Sequence, residues 1–153
     1  MPVNSELVGR EFPPTAPYLV GREKVREFAR AVFADAPQHI DVDAARAAGY
    51  SDVVAPPTFP MVIQDLTLQQ LLSEPDSGIV LARTIHAEQR FRYTRPIVAG
   101  DELTAQLAVT GIRSMSGNAM ITSEASITDA AGAHVVTAVS VLLVGSDSEG
   151  EAA

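Results

Sequence analysis

"TFPMVIQDLTLQQLLS", residues 58–73, is the stretch on which the fold turns. Phe59, Val62, Ile63, Leu66, Leu68, Leu71 and Leu72 spread apolar side chains over an unusually wide arc of a helix. Pro60 falls in the first turn, where a missing N–H costs nothing, and Thr58 stands where a cap belongs. No Lys or Arg occurs between Thr58 and Ser73. A helix so poor in charge is expected to be enclosed, so the rest of the chain must cover it.

The cover lies downstream, where the period of the sequence switches to two. "IVLARTIHAEQRFRY" (79–93) reads as a long or bulged strand and "RPIVAGD" (95–101) as a turn. "ELTAQLAVTGIR" (102–113) puts Leu103, Ala105, Leu107 and Val109 on one face, and "SMSGN" (114–118) is a hairpin turn. "AMITSEASIT" (119–128) sets Ala119, Ile121, Ala125 and Ile127 against Thr122, Glu124, Ser126 and Thr128. "AHVVTAVSVLLVG" (133–145) is nearly continuous in apolar residues and closes the sheet. A strongly curved antiparallel sheet wrapped around one helix buries the wide arc most economically, which makes the fold class α+β.

Upstream, a proline-rich start (1–17) reads as an extended arm, and "YLVG" (18–21) as a short strand. Val25, Phe28, Ala29 and Val32 recur at helical spacing, so an amphipathic helix runs from Arg22 to about Phe33. "DVDAARAAGY" (41–50) gives a second short helix that stops at Gly49. We expect one domain over residues 1–145 and an acidic, disordered tail over 146–153.

The bulk composition narrows the function. The 153 residues are 46% hydrophobic but only 5% aromatic, so the core must be built from Val, Ile, Leu and Ala. There is no cysteine, which excludes disulfides and thiolate chemistry and suits a cytoplasmic location. A formal charge of −8 argues against nucleic acid or an anionic membrane as partner. "VVTAVSVLLVG" is too short for a membrane helix, and no signal peptide is visible. Three scattered histidines with no ligand spacing argue against a metal, and no nucleotide or phosphate fingerprint calls for a cofactor.

Two stretches carry a family likeness. "FARAVFADAPQHIDVDAARAAGYSDVVAPPTF" resembles the hydratase motif of the MaoC-like R-specific enoyl hydratases and (3R)-hydroxyacyl-ACP dehydratases. In that motif an Asp, then Asn-Pro-Leu and a His, precede a short helix. "QRFRYTRPIVAGDELTA" resembles the same family's aromatic strand followed by Pro-Val-x-x-Gly-Asp-x-Leu. With the Arg-Glu-Lys-Val-Arg-Glu-Phe start of the first helix, the chain is most similar to the actinobacterial dehydratase subunits that form half of a heterodimer. The likeness spans roughly residues 6–144 and implies a hot-dog fold.

The resemblance implies chemistry as well. Hydrating a trans-2-enoyl thioester, or dehydrating the (3R)-hydroxyacyl form, needs an acid–base pair and donors on the thioester oxygen. The family His falls on His39. The family Asp falls on Ala34, and this sequence offers Asp35 instead, one residue closer to the His. His39 and Asp35 are therefore the candidate proton-transfer residues, and Ala55, Pro56, Pro57, Thr58 and Phe59 the candidate substrate loop. Read without the family, Asp35 and Pro37 make a turn and Asp41 caps a helix. His86, sharing a strand face with Glu88, Arg90 and Arg92, suits either a thioester carrier or plain solvation. Arg92 and Arg95 suit an anionic carrier, or ion pairs to Asp101 or Glu102, and His134 reads as structural.

The expected substrate is an acyl-CoA or acyl-ACP, and the expected assembly is a homodimer or a heterodimer with a MaoC-like subunit. In the heterodimer the chain is the substrate-holding half and the partner carries the intact motif. Two rival readings use the same fold: an acyl-CoA-binding module without catalysis, and a thioesterase. The second needs a carboxylate on the central helix, where Asp65 is the only one.

Overall fold

The computed structural model describes residues 2–146. Five antiparallel strands form one sheet: β1 (Tyr18–Leu19), β2 (Thr84–Tyr93), β3 (Glu102–Met115), β4 (Asn118–Thr128) and β5 (His134–Val144). Their order is β1-β3-β4-β5-β2. β3, β4 and β5 are a simple meander. Ser116 and Gly117, both at positive φ, make the two-residue turn between the Met115 and Asn118 pair. β2 does not join this meander at β3; it crosses the sheet to pair with β5 at the far edge. Three helices complete the fold: α1 (Arg22–Ala31), α2 (Val42–Ala47) and α3 (Pro60–Leu72). Among the described residues no helix is long and apolar enough to cross a membrane. Of the tail expected from 146 onward, all but Ser146 lies outside the described residues.

The sheet curls around α3 as the alternation requires. Leu103, Ala105, Leu107 and Val109 of β3 face inward, with Ile121, Ala125 and Ile127 of β4 and Val136, Ala138 and Leu142 of β5. They enclose Ile63, Leu68 and Leu71 of α3. The helix is covered on one side only, which corrects the expectation that it is enclosed. Leu66 is 38% exposed and Asp65 and Gln69 face solvent, hydrogen-bonded to each other. Gln64 and Thr67 are fully buried instead. Gln64 Nε2 reaches Ala138 O and the Thr67 hydroxyl donates to Gln64 O; on the sheet, the buried Ser123 and Ser140 bond each other at 2.9 Å.

The N-terminal arm runs along β3. Gly9 N donates to Val109 O, Phe12 N to Leu107 O and Thr15 N to Ala105 O, while Leu7 and Phe12 plug into the core. Asp41 caps α2 through Ala44 N, which leaves the preceding Pro37–His39 segment as a separate 3-10 turn.

Candidate active site

His39 closes that 3-10 turn and is 9% exposed. Its Nδ1 lies 2.6 Å from Val54 O, a distance that requires Nδ1 to carry the hydrogen and donate. Nε2 is therefore the basic nitrogen of the neutral ring. Val54 N returns a bond to Gln38 O, and Ala55 N donates to Ile97 O, so three segments are locked together around the imidazole. Beside it opens a cavity of about 400 Å³, lined by Gln38, His39, Tyr50, Val54, Ala55, Pro57, Tyr93, Thr94, Arg95 and Pro96. Among the described residues no Asp or Glu lines it.

Asp35 does not share this cavity. It is exposed and lines a separate hollow with Arg30, Phe33 and Ile40. The cause is the end of α1. Ala34 N donates to Ala29 O and Phe33 N to Arg30 O, with Phe33 at φ 57, which is a Schellman ending. The chain reverses there, and Asp35 leaves on the α1 side of the loop.

Of the candidate substrate loop, Ala55 and Pro57 line the cavity, Pro56 is buried and Thr58 is exposed. The Phe59 side chain belongs to the core, edge-on to Phe28 at 5.3 Å. Thr58 is not the side-chain cap the sequence suggests. Phe59 holds the cap position without a side-chain bond, and the Thr58 carbonyl accepts from Met61 N. The amides of this loop can be followed one by one. Ala55 N donates to Ile97 O, Phe59 N to Pro56 O, Met61 N to Thr58 O and Val62 N to Phe59 O. Pro56, Pro57 and Pro60 have no N–H. Only the Thr58 N–H donates to nothing among the described residues, at the N-terminal end of a thirteen-residue helix.

The opposite wall comes from the end of β2. The Tyr93 hydroxyl donates to Pro57 O at 2.7 Å, and partial burial pushes its pKa well above the usual phenol value, so it keeps its proton. Thr94 Oγ1 sits 2.6 Å from His134 Nδ1, whose Nε2 meets Thr137 Oγ1. Arg95 pairs with Asp101 at 2.8 Å and Asp129 at 3.3 Å, so its charge is spent on the scaffold. Arg92 pairs with Glu124 on the outer face. Nothing in the sequence singled out Tyr50, Tyr93 or Thr94. The aromatic-Pro-Val signal marks the segment but not which side chain turns inward.

His86 does not share a face with Glu88, Arg90 and Arg92. A bulge at Ala87 inserts one residue, so His86 pairs with Leu142 on the inner face and bonds Gln89 Oε1 at 3.0 Å. Among the described residues no three His, Asp or Glu side chains come close enough to hold a metal.

Comparison with known proteins agrees with this architecture. A family model described as "FAS1-like, dehydratase domain region" matches residues 6–138. A UPF0336 protein of Clavibacter michiganensis is 64% identical over 147 residues, covering 96% of this chain and 99% of that one. The truncated HadBC (3R-hydroxyacyl-ACP dehydratase) complex of Mycobacterium tuberculosis includes a chain 31% identical, with a TM-score of 0.82 over 90% of this chain and 96% of its own. A MaoC-like dehydratase is 39% identical with the same TM-score, covering 92% of this chain but 42% of that longer one.

Proposed function

The chain belongs to the FAS1-like dehydratase-region family and has the MaoC-like hot-dog fold; on that premise we propose that it is the substrate-holding subunit of a (3R)-hydroxyacyl-thioester dehydratase, or R-specific enoyl-thioester hydratase. One observation carries the assignment of roles: among the described residues no carboxylate lines the cavity that holds His39. Water addition to an enoyl thioester needs a base for water and an acid for C2, placed together. This chain offers a single imidazole there, and Asp35 lies in another hollow. The Asp–His pair then comes from a second hot-dog subunit, while this chain supplies the pocket wall and a donor for the thioester oxygen. The free Thr58 N–H is that donor. Its position at a helix N-terminus suits the negative charge that grows on the oxygen in the transition state.

A second reading rests on the burial of His39 and its open Nε2. Here the chain acts as a homodimer and His39 moves the protons. The test is hydration of trans-2-butenoyl-CoA, followed as loss of the enoyl absorbance, by the chain alone and with a MaoC-like subunit bearing the full Asp–His spacing. We expect turnover only with the partner, and His39→Ala to leave most of it. Turnover by the chain alone, abolished by His39→Ala, transfers the catalytic role to this chain. Saturable binding without turnover in both settings supports a binding module, and release of free thiol a thioesterase.

A further inference from the structure

Two observations bear on the same planar unit. The peptide joining Pro57 to Thr58 carries, on one side, the carbonyl that accepts the Tyr93 hydroxyl at 2.7 Å. On the other it carries the one N–H between Val54 and Val62 that donates to nothing among the described residues. A trans peptide is rigid, so its C=O and N–H point in opposite directions and turn together. Whatever fixes Pro57 O fixes the direction of the Thr58 N–H. A hydrogen bond accepted by the carbonyl also draws electron density from the nitrogen and strengthens the N–H as a donor. The residues on either side cannot do this work. Pro56 and Pro57 have no N–H to anchor the loop, and the Phe59 amide folds back onto Pro56 O.

We propose that Tyr93, reaching across from the end of β2, is a positioning residue that aims and polarises the Thr58 amide toward the thioester oxygen. The proposal rests on the reading above, in which that amide is the oxygen donor. His39, nine-tenths buried with Nε2 unpartnered, lines one cavity with Pro57 and Tyr93, which gives independent reason to place a ligand beside this peptide. Tyr93 touches no reacting atom in this scheme; it acts through Pro57. A phenol suits the task because it stays protonated at any physiological pH and stands on a strand rather than on the loop it steadies.

The test compares wild type with Tyr93→Phe, which keeps the ring against Phe91 and removes only the hydroxyl. The ¹⁵N–¹H cross-peak of Thr58 is followed in the full chain, free and titrated with trans-2-butenoyl-CoA, while the dispersion of the remaining spectrum reports the fold. We expect the free Thr58 ¹⁵N resonance to move upfield in Tyr93→Phe and its response to ligand to shrink. Loss of an oxyanion donor costs 10²–10³ in rate, and a misaimed donor less, so hydration by the assembled enzyme should fall about ten-fold in kcat with little change in KM. An identical Thr58 response in both proteins overturns the proposal and leaves the Thr58 donor standing. A Thr58 resonance that ignores the ligand in wild type, while Ala55 or Tyr93 responds, overturns the donor assignment and the proposal together.

Discussion

The two edges of the sheet are treated in opposite ways. At the β3 edge the arm donates from Gly9, Phe12 and Thr15 and accepts from Val109, and Leu7 and Phe12 anchor it in the core. At the β2 edge, nine residues pair with β5 on one side and with nothing on the other among the described residues. Ile85 there is 63% exposed, and α3 shows Leu66 on its uncovered side. A long exposed edge is a template for another strand, and proteins that live alone blunt it. This chain has a segment able to seal an edge and uses it on β3. The open edge and the uncovered strip of α3 are then where the proposed second subunit belongs.

The largest expected effect breaks the sealed edge. Phe12 is only 4% exposed, so Phe12→Ala should cost about 3–5 kcal/mol in urea denaturation, as ring deletions in cores do. An effect below about 1 kcal/mol would mean the arm is decoration. Next is Thr15→Val. The Thr15 hydroxyl accepts from Ala105 N at 3.0 Å, and Ala105 is fully buried, so the orphaned N–H should cost about 1–3 kcal/mol. At the open edge the same kind of truncation should be nearly silent. Ile85→Ala is expected within about 0.5 kcal/mol of wild type for the chain alone. Its effect should appear instead in association with the second subunit, measured by sedimentation; no change there would remove Ile85 from the interface.

Legibility in the sequence followed the same divide between what is local and what depends on neighbours. α3 was readable because Lys and Arg are missing from a whole helix, and β3 and β4 because alternation survives over many residues. Which side of α3 is buried was not readable. Leu66 is the better hydrophobe, yet Gln64 and Thr67 are inside, where Gln64 meets the Ala138 carbonyl of β5 and Thr67 bonds back to Gln64 O. The face of His86 was misread because a one-residue bulge leaves no mark in composition and inverts everything before it. In the site, the His39 cavity followed from the motif and its loop. The separation of Asp35 depended on a Schellman ending with Phe33, not Gly, in the left-handed position, which no turn signal announces.

The smallest expected effect separates the edges by acid. The arm's bonds to β3 itself come from backbone amides, the Thr15 hydroxyl and the Gln106 amide, none of which titrates; among the described residues only its Arg10–Glu74 pair, away from β3, involves a carboxylate. Near the end of β2, Arg95 is held by Asp101 and Asp129. Asp129 lies below the ordinary carboxylate range, chiefly because it accepts from Ala133 N and then because Arg95 stands beside it. A carboxylate with a depressed folded pKa stabilises above its unfolded value, near 3.9, and that contribution is lost as pH falls through the folded value. Amide protection around Thr94 and Arg95, both bonded to Val135 O, should therefore weaken below about pH 4, while Gly9 and Phe12, bonded to β3, keep theirs. Asp129→Asn should remove most of that pH dependence. If the arm loosened first, the sealed edge would be the weaker of the two, and the open edge of β2 would need another explanation than a missing partner.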